Sequence, residues 1–141
     1  MRIAVDFDGT IVQQDKPYDQ TNGQFTFIPG AKEALLSLKA AGHQLLLYSA
    51  RASKHHRVDV TLDPLWTNKK KKPPARYYEI NNARFQEMCD FVGRELPGVF
   101  NAIDTGDAGK PTVDVFIDDR AIRLGASGFS WAEIQEQYGD E

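Results

Sequence analysis

The chain has 141 residues and a formal net charge of −3, so we expect a single domain, residues 1–141, with a buried core and no general affinity for nucleic acid or anionic membranes. One cysteine, Cys89, excludes an intramolecular disulfide, and no apolar run approaches the length of a membrane span or a secretory signal. We therefore expect a cytoplasmic protein without a membrane partner.

The first element is an apolar strand, residues 3–5, which leads directly into the motif DFDGT at residues 6–10. Ionised carboxylates at the end of a buried strand require a cation or hydrogen-bond donors. Residues two apart on an extended chain project to the same side, so Asp6 and Asp8 can converge on one ion. The glycine after them lets the backbone turn, and Thr10 offers a hydroxyl to the turn or to an anion. An Asx turn that closes the strand is the ordinary alternative.

The next segments predict a flap and then a helix. Residues 12–27 are polar and rich in turn residues, and we expect a flap over the end of the first strand. Pro29 opens a helix whose apolar residues recur at helical spacing, and Gly42 closes it.

A second apolar strand, residues 45–48, is followed at its carboxyl end by Ser49 and then Arg51. A hydroxyl and a guanidinium can both bind phosphate oxygens. The ordinary alternatives are a helix N-cap for Ser49 and a surface position for Arg51. The following segment, residues 52–75, contains two histidines, His55 and His56, and four lysines at 69–72, which fit either a solvated loop or attraction of an anionic substrate.

Three elements complete the layout. A helix is predicted from one apolar face, made of Phe85, Met88, Cys89, Val92 and Leu96. Residues 99–103 predict a third α/β strand, and the turn after it contains Asp104 and Asp107, which fit either a turn or the outer shell of a cation. A capping box at residues 130–133 begins a last helix, for which we expect three inward-facing residues, Trp131, Ile134 and Tyr138.

Another apolar strand, residues 113–117, ends in Asp118 and Asp119. Lys110 precedes it, and Pro111 restricts that lysine to extended geometry, which gives the ammonium a defined direction unless it is only a solvated loop charge. Ligands of parallel α/β sheets bind outside the carboxyl ends of the strands, so acids at separate strand ends are expected to share one crevice. Oxygen ligands without a nearby histidine or cysteine suit Mg²⁺.

In this order the residues resemble the four motifs of the haloacid dehalogenase (HAD) superfamily of aspartate-nucleophile phosphatases. The motifs are DFDGT at 6–10, Ser49 after an apolar strand, Lys110, and the acidic pair at 118–119. Within the superfamily, residues 110–121 are most similar to small phosphatases of capsule or polysaccharide biosynthesis. The resemblance implies an α/β fold with a three-layer, doubly wound (Rossmann-like) parallel sheet over the whole chain.

The resemblance also implies a Mg²⁺-dependent phosphomonoester phosphatase that forms an aspartyl-phosphate. Asp6 would be the nucleophile and a Mg²⁺ ligand. Asp8 would act as general acid and base, with its backbone carbonyl on the metal. Asp118 would supply a further carboxylate ligand, and Asp119 would act directly or through water.

The substrate side of the implied site consists of residues that bind the phosphoryl group. The resemblance assigns this role to Ser49 and Lys110, and Lys110 would also neutralise the charge of Asp6. The chemistry of their side chains adds Thr10 and Arg51 as candidate phosphate ligands.

Neither long gap between the motifs has room for the full cap domain that many HAD phosphatases carry. We therefore expect an open site, which accepts a bulky phosphoester or borrows its lid from a second copy in a homo-oligomer. Small phosphorylated metabolites, such as a sugar phosphate or a nucleotide, present the same phosphoryl group. Specificity is expected to reside in residues 12–27 and 52–75.

Two other functions use a similar set of residues. A receiver-like phosphotransfer module also combines clustered acids, a hydroxyl and a Lys-Pro, but it expects its acidic pair first and its Lys-Pro last, unlike the order found here. A catalytically silent relative that binds phosphate or serves as a scaffold is the other alternative, although every catalytic position is occupied.

Overall fold

The computed structural model describes residues 1–16, 22–52, 75–105 and 110–139, and these residues form an α/β fold. The four strands are β1 (Arg2–Val5), β2 (Gln44–Leu47), β3 (Ala102–Ile103) and β4 (Val115–Ile117). The helices are α1 (Ala31–Ala40), α2 (Ala75–Glu95) and α3 (Trp131–Tyr138), and one turn of 3-10 helix follows β2 at Ala50–Ala52.

The four strands form one all-parallel sheet in the order β3-β2-β1-β4. β1 is therefore an inner strand, paired on one side with β2 and on the other with β4. Val5 lies opposite Leu47 in one register and opposite Ile117 in the other. Because the strands are parallel and aligned, the residues that follow these three positions emerge at the same edge of the sheet.

The hydrophobic core lies between β1, β2 and α2. Its fully buried members include Val5, Phe7, Leu45, Leu47 and Met88. Three aromatic rings pack edge to face within it, since the ring centroids of Phe7 and Phe25 are 5.0 Å apart and those of Phe25 and Phe91 are 5.2 Å apart. Such pairs add stabilisation beyond the area they bury.

The described part of the predicted flap folds back on itself. Val12 is fully buried and forms an antiparallel bridge with Phe27, while the N–H of Gln13 donates to the carbonyl of Thr26 at 2.8 Å. Phe25 then packs against the core. Because Val12 also bridges to Asp8, the described part of this segment lies beside the carboxyl end of β1.

All four predicted strands and all three predicted helices are present, with shifted bounds. β3 has two residues rather than five, and α2 begins at Ala75, ten residues before the first residue of its predicted apolar face. The capping box of α3 is confirmed, because the Ser130 side chain accepts from the N–H of Glu133 and the Glu133 side chain accepts from the N–H of Ser130.

The predicted burial of α3 is wrong. Trp131 is 72% exposed and Tyr138 is exposed as well, and Ile134 alone of the three is half-buried. The apolar spacing therefore predicted the helix but not its exposure. None of the residues of α3 belongs to the hydrophobic core of the described part of the chain. His55, His56, Asp107 and the lysines at 69–72 lie outside the described residues. No helix in the described ranges is both long enough and apolar enough to cross a bilayer.

Candidate metal centre

The carboxyl ends of β1 and β4 bring two acidic segments together. The backbone N–H of Asp6 donates to the carbonyl of Ile117 at 3.0 Å, which continues the strand ladder by one residue. Asp6 and Asp118 are thus the first residues beyond paired strands. A sheet register fixed by apolar side chains consequently places carboxylates that are 112 residues apart in the sequence side by side.

Asp6, Asp118 and Asp119 form a cluster in which one oxygen of each carboxylate lies within 4.8 Å of the others. Asp6 is half-buried and the other two are exposed. Six oxygens around Mg²⁺ at about 2.0–2.1 Å lie roughly 3 to 4 Å from each other, so small side-chain rotations bring this set to the required spacing. The donors are all carboxylate oxygens, which is the chemistry that Mg²⁺ prefers.

The surroundings of Asp6 favour its protonated form. Its pKa is raised from 3.8 to about 6: burial is the largest cause, a hydrogen bond from the Phe7 backbone opposes it, and the charges of Asp118, Asp119 and Asp8 add to the rise. A bound divalent cation would reverse this balance, because positive charge favours the ionised carboxylate. These carboxylates therefore repel each other, and a bound cation would relieve that repulsion.

Gly9 lies next to the carboxylate of Asp119. Its φ is +78°, and a Cβ at this position would collide with the carboxylate of Asp119. The φ favours glycine, since other residues rarely adopt it, and a larger residue would also force the Asp119 side chain to move. Glycine at this position therefore permits both the turn and the observed place of the Asp119 carboxylate.

One oxygen of Asp118 is already engaged. It accepts the backbone N–H of Arg120 at 2.7 Å, which is the Asx-type turn expected of an acid at the end of a strand. A carboxylate has two oxygens with several lone pairs, so this bond orients Asp118 and leaves it acceptor capacity for a cation. The turn and the metal-ligand interpretations are therefore compatible.

Asp8 lies outside the cluster, although it is only two residues from Asp6. Both of its oxygens accept hydrogen bonds from Arg51, at 2.7 Å from Nε and 2.7 Å from Nη2. This is a bidentate ion pair with the geometry that makes arginine pairs strong. The Asp8 side chain keeps 20% exposure, so one edge of the pair still faces solvent.

Arg51 is the most deeply buried charged residue described. Its side chain is 0% exposed, and its guanidinium carbon lies 5.5 Å from the Phe7 ring centroid and 5.0 Å from that of Phe25. Nη1 donates to the carbonyl of Arg84 at 3.2 Å. The sequence-based role of Arg51 was phosphate binding from a strand end, whereas the structure places its guanidinium on Asp8.

Ser49 is buried, and its hydroxyl oxygen accepts the backbone N–H of Arg51 at 3.1 Å. Its capping role at the 3-10 turn is therefore present. Thr10 has a buried hydroxyl for which the described residues supply no partner. Lys110 is exposed, and its ammonium lies 5.3 Å from the Phe116 ring centroid, without an ion pair to any described carboxylate. The structure thus gathers three of the four predicted acids, Asp6, Asp118 and Asp119, but brings neither Asp8 nor Lys110 into that cluster.

Two contacts at the site had no clear signal in the sequence. Arg120 donates from Nη2 to the Gln14 side chain at 3.2 Å, which ties the segment after Asp119 to the flap. Phe25 covers one side of Arg51. A basic residue directly after the acidic pair was visible in the sequence, but its partner 106 residues away was not.

Comparisons with known proteins name no family for the chain. No protein-family model and no curated protein matches it. A solved structure of a conserved protein coded by a locus from Bacteroides thetaiotaomicron is similar, with 26% sequence identity, coverage of 99% of this chain and 90% of that chain, and a TM-score of 0.48. A likeness at this TM-score supports no functional assignment, which depends on the residues of this chain.

Proposed function

We propose that this protein is a Mg²⁺-dependent phosphomonoester phosphatase of the HAD type, with the doubly wound fold that this type implies. The observation that carries the proposal is the convergence of Asp6, Asp118 and Asp119 at the adjoining ends of β1 and β4. Three all-oxygen donors at the carboxyl edge of a parallel sheet match both the preference of Mg²⁺ and the usual place of a ligand in such sheets.

Asp6, Asp118 and Asp119 would hold the cation, which when bound would neutralise charge on the phosphoryl oxygens. In the first step one oxygen of Asp6 attacks phosphorus and the ester oxygen leaves, forming an aspartyl-phosphate. Asp8 gives the leaving oxygen its proton. In the second step Asp8 takes a proton from water, which attacks phosphorus, and inorganic phosphate leaves while Asp6 is regenerated.

The remaining residues would bind substrate. The Thr10 hydroxyl, for which the described residues supply no partner, and the Ser49 hydroxyl lie on the loops that follow β1 and β2, where phosphate oxygens can be bound. Lys110 would have to move from its position over Phe116 to neutralise the phosphoryl group. We propose a small phosphorylated metabolite or a bulky phosphoester as substrate, cytoplasmic location, and a homo-oligomer if a second copy supplies the lid.

The experiment is phosphate release with and without Mg²⁺ from sugar phosphates, nucleotides and an aryl phosphate. Asp6→Asn should abolish turnover, because an amide is not a nucleophile here. Asp114→Asn is the matched control, since Asp114 directly precedes β4 whereas the cluster follows it. Asp114 accepts the Arg2 N–H at 2.8 Å, a bond that an asparagine oxygen can keep. Equal turnover in Asp6→Asn and the parent would refute the proposal. Mg²⁺ binding without turnover on a broad panel would favour the silent phosphate-binding alternative.

A further inference from the structure

Strand β4 lies at one edge of the sheet, and its apolar side chains are exposed on both faces. β1 pairs with one side of β4, and no strand among the described residues pairs with the other. Val115 and Ile117 project to one face and Phe116 to the other, and each is 38 to 39% exposed. Strands of all-parallel sheets are normally covered on both faces, and Lys or Pro often protects an open edge. β4 has neither residue, so its edge is suited to pair with another chain.

The segment after β4 carries further exposed apolar side chains. Of the ten large hydrophobic residues that are exposed in the described part of the chain, eight lie within residues 115–138. Three are on β4, three follow it before α3, and two are on α3; together we call them the C-terminal apolar set. A bridge holds Leu124 beside Phe129, and Trp131, which is 72% exposed, begins α3 two residues later. The exposure of α3 and that of β4 thus belong to one segment of the chain.

The area of the C-terminal apolar set is large enough for a stable dimer. Its members are between 38 and 72% exposed. With about 200 Å² for a whole aromatic side chain and somewhat less for an aliphatic one, they expose roughly 600 to 700 Å². A standard interface buries about 800 Å² per partner, and about 65% of a homodimer interface is apolar, which requires about 500 Å². The set exceeds this requirement, and it exceeds the largest apolar patch of most monomers.

Two properties of this segment favour a second copy of the chain as the partner. An open strand edge presents both N–H donors and C=O acceptors, so it can pair with its own copy about a two-fold axis. The charged residues of 120–138 are Arg120, Arg123, Glu133 and Glu136, all of them exposed. Their charges sum to zero, so two copies of the segment meet without net repulsion, whereas a strongly charged partner would gain no attraction.

We infer that two copies of this protein associate about a two-fold axis through the open edge of β4 and the C-terminal apolar set. In this dimer the outer edge of β4 pairs with the partner, and Trp131 is covered. The inference does not depend on the proposed reaction, because none of the side chains in the set is a ligand of the proposed cation or a proposed catalytic group.

Sedimentation velocity of the parent from about 1 to 200 µM is the first measurement. We expect a species of twice the 15.8 kDa chain mass, with a Kd in the micromolar range or below. Trp131→Glu should raise this Kd by at least about 30-fold, since a buried Trp is replaced by a charge. The variant should keep its fold, because Trp131 contributes little to the core and an acid suits the first turn of a helix. Circular dichroism checks the fold.

Leu36→Glu is the matched control for this substitution. Leu36 is also an exposed apolar residue, at 45%, but it lies on α1, outside the C-terminal apolar set. Its replacement should change the dimer Kd by less than about twofold, because a surface substitution away from an interface has little effect on binding.

The edge of β4 is tested without a substitution, by hydrogen exchange of the parent at about 1 and 200 µM. Amides on the outer edge of residues 115–117 should exchange more slowly at the higher concentration, because pairing with the partner protects them. A parent that is monomeric at 200 µM, or that forms species larger than a dimer, would overturn the inference. A dimer whose Kd is unchanged in Trp131→Glu, or exchange at 115–117 that does not depend on concentration, would overturn it as well.

Discussion

At the scale of single residues, the proposed role of Asp6 and its surroundings oppose each other. As the proposed nucleophile and metal ligand Asp6 would have to be ionised, whereas burial and three neighbouring acids favour the protonated form and raise its pKa to about 6. Without a cation, the folded protein therefore binds this proton more tightly than the unfolded chain does. The stabilising contribution of Asp6 is fully present below pH 3.8 and is lost as the pH rises through about 6.

Asp6→Asn should therefore stabilise the metal-free protein at pH 7, by about 1 to 2 kcal/mol once solvent screening of the half-exposed carboxyl is allowed for. Denaturant unfolding in EDTA from pH 4 to 8 measures this. The parent should lose stability between about pH 4 and 6, and Asp6→Asn should lose less. Asp114→Asn serves as control. A variant less stable than the parent at pH 7 would contradict this account of the cluster.

Gly9 supports a second prediction at this scale. Gly9→Ala should lower the free energy of unfolding by about 1 to 2 kcal/mol through its positive φ and should also weaken Mg²⁺ binding, because the new Cβ displaces the Asp119 carboxylate. Gly30 provides a matched control, since its φ is +84° but nothing lies within 4 Å of an added Cβ. Calorimetric titration of both variants should show weaker Mg²⁺ binding in Gly9→Ala only. Equal Mg²⁺ affinities would mean that the added Cβ does not displace the Asp119 carboxylate from the cation.

The site could be predicted in part because strand ends are visible in the sequence. Apolar runs followed by acids located Asp6 and the 118–119 pair. The parallel pairing of β1 with β4 then brings these acids to the same edge of the sheet. The partner of Asp8 was not predictable in the same way. Arg51 and Asp8 follow adjacent strands, but which side chains pair across them depends on burial by Phe25 and on α2, which are set by the tertiary fold.

At the scale of elements, α3 is a helix stabilised more by its cap than by its packing. Its capping box is complete, yet none of its residues is fully buried. Periodicity predicted the helix correctly and its burial wrongly, because a 3.6-residue repeat indicates which residues share a face and not whether another element covers that face.

Ser130→Ala should consequently act locally. Loss of the cap costs about 1 kcal/mol, which corresponds to roughly fivefold faster amide exchange in α3. The free energy of global unfolding should change by less than about 0.5 kcal/mol, since α3 can fray without disturbing the core. Hydrogen exchange followed by mass spectrometry checks this, with the exposed Ser127→Ala as control. A full 1 kcal/mol loss of global stability would show that α3 unfolds together with the sheet.

At the scale of the whole molecule, the proposed cation site would join two segments that are distant in the sequence. Its ligands would come from the residues that follow β1 and β4, so a bound ion would favour the state in which both strands are paired. Any ligand that binds only the folded protein raises its stability in proportion to the logarithm of its concentration.

Mg²⁺ at 100 times its Kd should raise the free energy of unfolding by about 2.7 kcal/mol and the Tm by about 5 to 10 °C. Asp118→Asn should lose most of this increase, while Asp114→Asn should keep it. Scanning calorimetry with and without Mg²⁺ provides the measurement. If Asp118→Asn responds to Mg²⁺ as the parent does, the ion binds somewhere other than the acidic cluster.

The position of β1 between β2 and β4 also determines the order in which its two edges can pair during biosynthesis. One edge of β1 can pair once Leu47 has been made, but the other must wait for Ile117, 70 residues later. At about 5 to 20 residues per second, translation leaves that edge unpaired for roughly 4 to 14 s. An apolar strand with an open edge is prone to pair with other chains, and Asp6 has no partner acids throughout this interval. The cluster therefore cannot exist until residues 118 and 119 have been made, so a cation bound there cannot favour the pairing of β1 during this interval.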